Sequence, residues 1–293
     1  MQNNYKAQFS RYYDLVNGYL ICFFEKLNKS APKTITDAME YSVMNGGKRI
    51  RPIMCLATAD MLGVPLERVE RYCVAIECIQ SYSLVHDDLP AMDNDDYRRG
   101  ELSTHKKFGE ANGILAGDAL LNVAFEYCLS KEDFDNYDAK ALYQLACASG
   151  YSGMIAGQVL DLENENNSQP DEKTLYNIYE NKTAKLITAP LMIACELSGG
   201  KFCQELYEYG KNLGLTFQMI DDVLDVEGSL ETLGKTPHKD EQEDKLTSIK
   251  VFGLEGAKAR AEVHYKKCLD AICNLPNNQF FIELASKMFN RKS

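Results

Sequence analysis

Apolar side chains recur every three or four residues along almost the whole chain, the spacing of one face of an α-helix. Between Glu67 and Leu89, for example, Val69, Cys73, Ile76 and Ile79 keep that spacing. Glycine, proline and asparagine punctuate the pattern at 46–47, 63–65, 90, 109, 166–170, 199–200, 234–237 and 274–276. The stretches between are long enough for helices of several turns, and none alternates as a half-buried strand does. Segments starting at Asn112, Ala139, Asp171 and Lys201 predict long helices with much apolar surface. Long helices joined by short loops make a bundle. With no repeat period and no linker-like stretch, the expectation is one all-α domain over residues 1–293.

Composition allows a sizeable core, since 45% of the residues are hydrophobic and 26% charged. The net charge of −11 and the lack of a Lys/Arg block argue against nucleic acid or an anionic membrane as partner. Ten cysteines occur without a CxxC pair, mostly among aliphatic residues, and are expected to be reduced core thiols. Residues 1–10 are polar, and no apolar run approaches the roughly 18–20 residues of a membrane span. A cytoplasmic location is therefore expected.

Candidate chemistry begins at Asp87-Asp88-Leu89-Pro90-Ala91-Met92-Asp93-Asn94-Asp95-Asp96, five aspartates in ten residues. Pro90 disfavours helix at Leu89, so the preceding helix should stop there, leaving Asp87 and Asp88 on its last turn and Asp93 on the returning loop. A helix C-terminus already carries partial negative charge, and crowded carboxylates raise one another's pKa values. A bound cation removes both penalties. A solvated acidic turn is the plainer alternative, and a calcium loop is disfavoured by Arg98 where its turn glycine belongs. Arg98 and Arg99 follow at once, and guanidiniums suit diphosphate oxygens that also coordinate Mg²⁺.

A second cluster, Gln218-Met219-Ile220-Asp221-Asp222-Val223-Leu224-Asp225, lies in a helical stretch. Gln218, Asp221, Asp222 and Asp225 can share one face, with Met219, Ile220, Val223 and Leu224 buried opposite. Mg²⁺ takes one or two carboxylates each and fills its octahedron with water and phosphate oxygens, so two such clusters can hold a diphosphate through several ions. An acidic chain could thus bind an anionic substrate. Gly46-Gly47-Lys48-Arg49-Ile50-Arg51-Pro52, Lys182-Thr183, Lys235 and Lys245 complete the basic inventory; the Gly-Gly-Lys string lacks the P-loop spacing.

Taken in order, GGKRIRP at 46–52, DDLPAMDNDDYRRG at 87–100, NKT at 181–183, FQMIDDVLDVEG at 217–228, LGK at 233–235 and Lys245 before GLEGA resemble the trans-prenyl diphosphate synthase family, its bacterial C15 branch above all. The resemblance implies the all-α isoprenoid synthase bundle around a deep central cavity, with the two clusters facing across it, and a homodimer. It implies Asp87, Asp93 and Asp221 as leading Mg²⁺ ligands, with Asp88, Asp222 and Asp225 completing the clusters. Arg98, Lys182, Gln218, Lys235 and Lys245 would hold the allylic diphosphate, and Lys48, Arg51, Gln80 and Arg99 isopentenyl diphosphate. Lys182, Thr183 and Gln218 would steady the allylic cation as dimethylallyl or geranyl diphosphate is lengthened towards farnesyl diphosphate. Two departures stand out: Gln80 replaces the His usual in bacterial members, and Leu246-Thr247-Ser248-Ile249 keeps only the Thr of the family's pattern after the lysine.

Ser83 lies one turn before Asp87, and a chain anchored at Asp87 would run down this helix at about one turn, ~5.4 Å, per isoprene unit. An aromatic ring at Tyr82 could close the cavity after three units, while Ser83 leaves room to pass two. C10 and C20 products remain alternatives. A terpene cyclase would lack the second DDxxD, and a non-catalytic partner subunit would lose aspartates that this chain keeps.

Overall fold

The computed structural model describes residues 2–165, 169, 171–227 and 244–291. Helix dominates, as the apolar spacing predicts, and the single β element among the described residues is a two-stranded hairpin. The chain gathers into two compact units, Met1–Leu142 and Tyr143–Ser293.

The first unit holds α1 (Gln2–Leu27), α2 (Lys33–Met44), α3 (Ile50–Leu62), α4 (Leu66–Asp87), strands β1 (Tyr97–Arg98) and β2 (Glu101–Leu102), α5 (Thr104–Phe108), α6 (Glu110–Leu129) and the start of α7 (Asn136–Ser149). Its centre is α4, which packs against α1, α2, α3 and α6. Val69, Tyr72, Cys73, Val74, Ala75, Ile76, Cys78 and Ile79 are all fully buried along it. At about 1.5–3 kcal/mol for each large side chain taken out of water, this one helix supplies much of the unit's stability. Tyr72 on α4 is matched inside, donating its hydroxyl to Asp138 Oδ1 at 2.8 Å. The helix stops where Pro90 requires, and the Leu89 N–H closes a tighter last turn onto the His86 carbonyl at 3.1 Å.

The second unit holds the rest of α7, then α8 (Met154–Glu163), α9 (Glu172–Tyr179), a π-turn (Glu180–Ala184), α10 (Lys185–Leu197), α11 (Cys203–Glu227), α12 (Ser248–Ile272) and α13 (Gln279–Phe289). Here α11 packs along α12 and α10. Leu175, Ile178, Tyr179, Leu215, Met219, Ile220, Leu246 and Ala261 form a buried cluster around it. Several buried polar groups find partners here: Tyr209 donates to the Phe281 carbonyl at 2.9 Å, and His264 lies between Asn212 and Tyr176.

The cysteines differ from expectation at one place. Cys195 at the end of α10 and Cys203 at the start of α11 form a disulfide, brought together by the tight turn through Gly199 and Gly200, both at positive φ. The other eight are free, and Cys55, Cys73, Cys78, Cys128 and Cys268 are buried as core thiols. No helix among the described residues is long and apolar enough to cross a membrane.

Candidate functional site

In the first unit the aspartate motif is folded back on the end of α4. Asp87 closes the helix and Asp88 caps it. The Asp93 N–H then donates to the Asp87 carbonyl at 2.9 Å, that of Asp95 to the Asp88 carbonyl at 3.2 Å, and that of Asn94 to the Leu89 carbonyl at 3.1 Å. Asp93 thus returns to Asp87, as the position of Pro90 predicts. Asp88 takes a different part. Its side chain is buried and receives the Arg98 guanidinium, with Nε 3.0 Å from Oδ1. Burial pushes its pKa up, against the opposing pull of Arg98. Asp88 therefore holds Arg98, which also lies 3.4 Å from Asp95; Asp96 pairs with Lys106 at 2.8 Å, and Asp87 and Asp93 stand where the loop closes on the helix end.

Arg98 and Arg99 are presented by the β1–β2 hairpin, whose two-residue turn puts Arg99 (φ 56) and Gly100 (φ 82) in the left-handed region. Arg99 donates to the Gly46 carbonyl at 2.7 Å and has no carboxylate partner among the described residues. Much of its residue surface is open, yet the guanidinium packs over Gly47. That desolvation, with the charges of Arg49 and Arg98 close by, lowers its pKa. A partly desolvated cation answered only by carbonyl dipoles suits an incoming anion.

Lys48 and Arg51 flank a residue whose importance the sequence did not reveal. Arg49 adopts φ 51 at the start of α3 and drives its guanidinium into the interior, 2.6 Å from Glu77 Oε1, with the two side chains 2% and 4% exposed. Glu77 stands three residues before Gln80 on α4. The buried pair therefore ties the Lys48–Arg51 segment to the helix that carries Gln80. An acid among Ile76, Cys78 and Ile79 was the available signal. Tyr82 is buried, its hydroxyl pKa pushed up to about 12 by burial and then by Asp87, and its ring meets His86 edge to face at 5.9 Å. Ser83 returns its hydroxyl to the Gln80 carbonyl at 2.9 Å.

In the second unit Lys182 and Thr183 lie on the π-turn, where the Lys185 N–H reaches five residues back to the Glu180 carbonyl. Such one-residue insertions into a helix are frequent at functional sites. Two glycines let neighbouring helices approach it: a Cβ on Gly157 of α8 would stand 2.1 Å from the Lys182 nitrogen, and one on Gly214 of α11 2.4 Å from the Ala184 Cα. Lys182 pairs with Asp161 of α8, which is 7% exposed and was not singled out in the sequence. Thr183 donates to Gln218 Oε1 at 2.8 Å. The three residues expected to act on the allylic cation thus meet in one region.

The second aspartate cluster divides by direction. Asp221 accepts from Arg291, whose guanidinium also lies 4.0 Å from the Phe217 ring centroid. Asp222 turns inward rather than joining a polar face: it is 2% exposed and accepts from Tyr179 Oη, from Ser248 N at 2.7 Å and from Ser248 Oγ at 2.6 Å. Asp225 is equally buried, and its Oδ1 has no hydrogen-bond partner among the described residues. The residues after Lys245, the kept Thr and the altered ones alike, have clear uses here. Thr247 caps α12 by accepting the Lys250 N–H at 3.2 Å, Ser248 serves Asp222, and Leu246 joins the core cluster. Lys245 is described and half-buried, while Lys235 lies outside the described residues.

Among the described residues no three His, Cys, Asp or Glu side chains converge as a cation cage. The donors nonetheless fit Mg²⁺. They are carboxylate oxygens, one of them buried and unanswered, and this ion takes few protein ligands while keeping water and phosphate oxygens.

Known proteins resemble this chain over most of its length. A farnesyl diphosphate synthase of Micrococcus luteus is 43% identical over 253 residues, covering 85% of this chain and 87% of its own. A geranylgeranyl diphosphate synthase of Cyanophora paradoxa is 38% identical over 278 residues, covering 92% and 93%. Among solved structures, a geranyltransferase of Legionella pneumophila superposes with a TM-score of 0.86 at 32% identity, covering 99% of this chain and 98% of that one. A geranyltransferase of Helicobacter pylori complexed with magnesium and isoprenyl diphosphate gives 0.81 at 31% identity, covering 97% and 96%. The neighbours share the all-helical isoprenoid synthase fold. One family description, polyprenyl synthetase, matches residues 32–274 and so spans both compact units, and the chain belongs to that family.

Proposed function

We propose that the chain is a Mg²⁺-dependent prenyltransferase that adds isopentenyl diphosphate to dimethylallyl and then geranyl diphosphate, giving farnesyl diphosphate and pyrophosphate. The observation that carries the metal-dependent part is Asp225 Oδ1, a buried carboxylate oxygen without a donor among the described residues, beside the Gln218–Asp222 helix face. Relatives and solved neighbours of this activity, one of them complexed with magnesium, support the assignment. Asp87, Asp93, Asp221 and Asp225 would hold the ions. When bound, Mg²⁺ supplies Lewis-acid stabilisation of the diphosphate as it leaves.

The chain's own groups do the rest. Lys182, steadied by Asp161, stands by the diphosphate of the allylic substrate. Thr183 donates its hydroxyl hydrogen bond to Gln218 Oε1, so the lone pairs of its hydroxyl oxygen are left for the electron-poor allylic carbon. Arg99, Lys48, Arg51 and Gln80 hold isopentenyl diphosphate. As the allylic C–O bond breaks, its electron pair leaves with diphosphate. The isopentenyl π pair forms the new C–C bond, and the proton lost from the adjacent carbon passes to the departed diphosphate. Positioning and electrostatics carry the rate without a side-chain nucleophile.

The buried ring of Tyr82, next to Ser83 on the helix below the aspartates, favours C15 over C20. A homodimer belongs to the same proposal, with Ile114 (46% exposed) and Leu115 (55%) on α6 as apolar side chains for a second copy to cover. A cytoplasmic location fits eight cysteines free of disulfides. Incubation with Mg²⁺ and both five-carbon diphosphates, with products sized by chromatography, tests the assignment. Mainly C15 product is expected. C20 product would reject the chain length, and pyrophosphate release from an allylic diphosphate alone would point to a cyclase.

A further inference from the structure

The end of α4 is seated in a notch on α6. In the first unit α6 packs along α4, and its glycines 113 and 117 stand one turn apart on the same face. A Cβ on Gly117 would lie 2.0 Å from Nε2 of His86, 2.2 Å from Cδ2 and 2.8 Å from Cε1. Non-bonded contact needs about 3.5 Å, so the imidazole occupies the volume that any other residue at 117 would fill. A Cβ on Gly113 would meet Leu89 Cδ2 at 3.3 Å and His105 Cβ at 3.0 Å. The His86 ring is bonded as well as wedged, its Nε2 being 3.0 Å from the Ile114 carbonyl oxygen. A carbonyl only accepts, so His86 carries its proton on Nε2. Asp118 Oδ1 lies 3.9 Å from the same nitrogen.

His86 immediately precedes Asp87, and the aspartate loop is tied to this end of the helix through the Asp87, Asp88 and Leu89 carbonyls. A shift of the ring therefore moves the whole motif. We propose that His86 and Gly117 are positioning residues for the first aspartate cluster: the seat sets the height and rotation of the α4 terminus, and so where Asp87 and Asp93 meet the metal–diphosphate. This rests on the synthase reading above. The role proposed for both acts through Asp87 and Asp93 rather than on substrate, and ordinary helix packing is the alternative to exclude.

Gly117→Ala asks the ring to retreat by about 1.5 Å, and a misplacement of ~1 Å at reacting groups costs about 10²-fold. The variant is expected to lose roughly 10²-fold in kcat and to need about tenfold more Mg²⁺ for half-maximal rate, while KM for isopentenyl diphosphate stays within about threefold. In metal-free protein, the ¹⁵N signals of His86 should leave the pure Nε2–H pattern of the wild type. His86→Ala should lose a similar factor, and adding Gly117→Ala to it should cost nothing more, because the clashing ring is gone. Multiplying losses, or KM rising together with the Mg²⁺ requirement, would reduce the seat to general packing and overturn the proposal. Unchanged kcat and tautomer in Gly117→Ala would do the same.

Should Gly117→Ala fail to fold, His86→Gln against His86→Ala decides. An amide N–H that reaches the Ile114 carbonyl should restore about tenfold of the lost rate, and equal rates refute the seat. Wild-type turnover is followed in parallel. Its absence would sink the synthase reading, and the metal-free tautomer signals would then judge the seat alone.

Discussion

Replacing Glu77 by Gln tests the link between interior electrostatics and substrate binding. Arg49 and Glu77 meet at 2.6 Å with almost no exposed surface, and the other side-chain acceptor for Arg49 is Asn17 Oδ1 at 3.3 Å. Removing one charge strands the other in a medium that solvates it poorly, a loss of about 3–5 kcal/mol. Glu77→Gln should therefore lower the unfolding free energy by that amount, read as a lower urea midpoint at unchanged slope. Replacing both partners by apolar residues, as in Arg49→Met with Glu77→Leu, avoids the stranded charge and should recover most of the stability. It should not recover binding. Arg49 enters the interior from a left-handed turn between Lys48 and Arg51, and without its anchor those two side chains lose their aim. The double variant should keep a near-native midpoint but raise KM for isopentenyl diphosphate about tenfold, with a much smaller change for the allylic substrate. A loss below about 1 kcal/mol in Glu77→Gln, or a native KM in the double variant, would refute the reasoning.

Ser83→Phe should shorten the product by filling the helix face one turn before Asp87, and an unchanged C15 product on chromatography would remove that face from chain-length control. Asp225→Asn should cut kcat by about 10²–10³-fold; in EDTA it should unfold no earlier than wild type by calorimetry, since it no longer buries an unanswered carboxylate oxygen. His264 has its pKa lowered to about 4, first by burial and then by Lys267, Lys211 and Arg260. The folded ring stays neutral while the unfolded one takes up a proton below about 6.5, so its stabilisation is full above that pH and drains away towards pH 4. Allowing for the part of the ring that solvent screens, the loss is on the order of 2 kcal/mol. Urea titrations of His264→Gln, which retains hydrogen-bonding groups, should show a flatter decline between pH 6.5 and 4.5, and a wild-type slope would count against this role.

What the sequence disclosed was mostly local. The spacing of Val69, Cys73, Ile76 and Ile79 and the position of Pro90 give α4 and its end, because both depend on residues within a turn or two of each other. The grouping of Lys182, Thr183 and Gln218 was legible only through resemblance, since nothing in 35 residues of separation dictates that Thr183 meets Gln218. Arg49–Glu77 and Lys182–Asp161 are 28 and 21 residues apart, and each partner alone looks like an ordinary charge. Asp222 misled for a related reason. Helical spacing says which residues share a face, but whether that face meets solvent or Ser248 depends on an element 26 residues away. The Arg99–Gly100 turn was in plain view, but two-residue strands are too short to alternate. The Cys195–Cys203 bridge depends on a turn geometry that spacing alone does not specify.

The π-turn at Glu180–Ala184 leaves the polypeptide helical from Glu172 to Leu197 with one residue more than an α-helix would use. Each α-helical residue advances the azimuth by about 100°. Losing a single amino acid here would mend the hydrogen-bond ladder, and by propensity alone the result would be a better helix. It would also swing everything upstream by more than a quarter revolution relative to α10, so that Lys182 would leave Asp161 and the backbone cradled by Gly157 would be replaced by a bulkier neighbour. Length in this segment is therefore constrained more tightly than composition: conservative replacements can be absorbed, while the smallest deletion dismantles the register on which Thr183 and Gln218 depend.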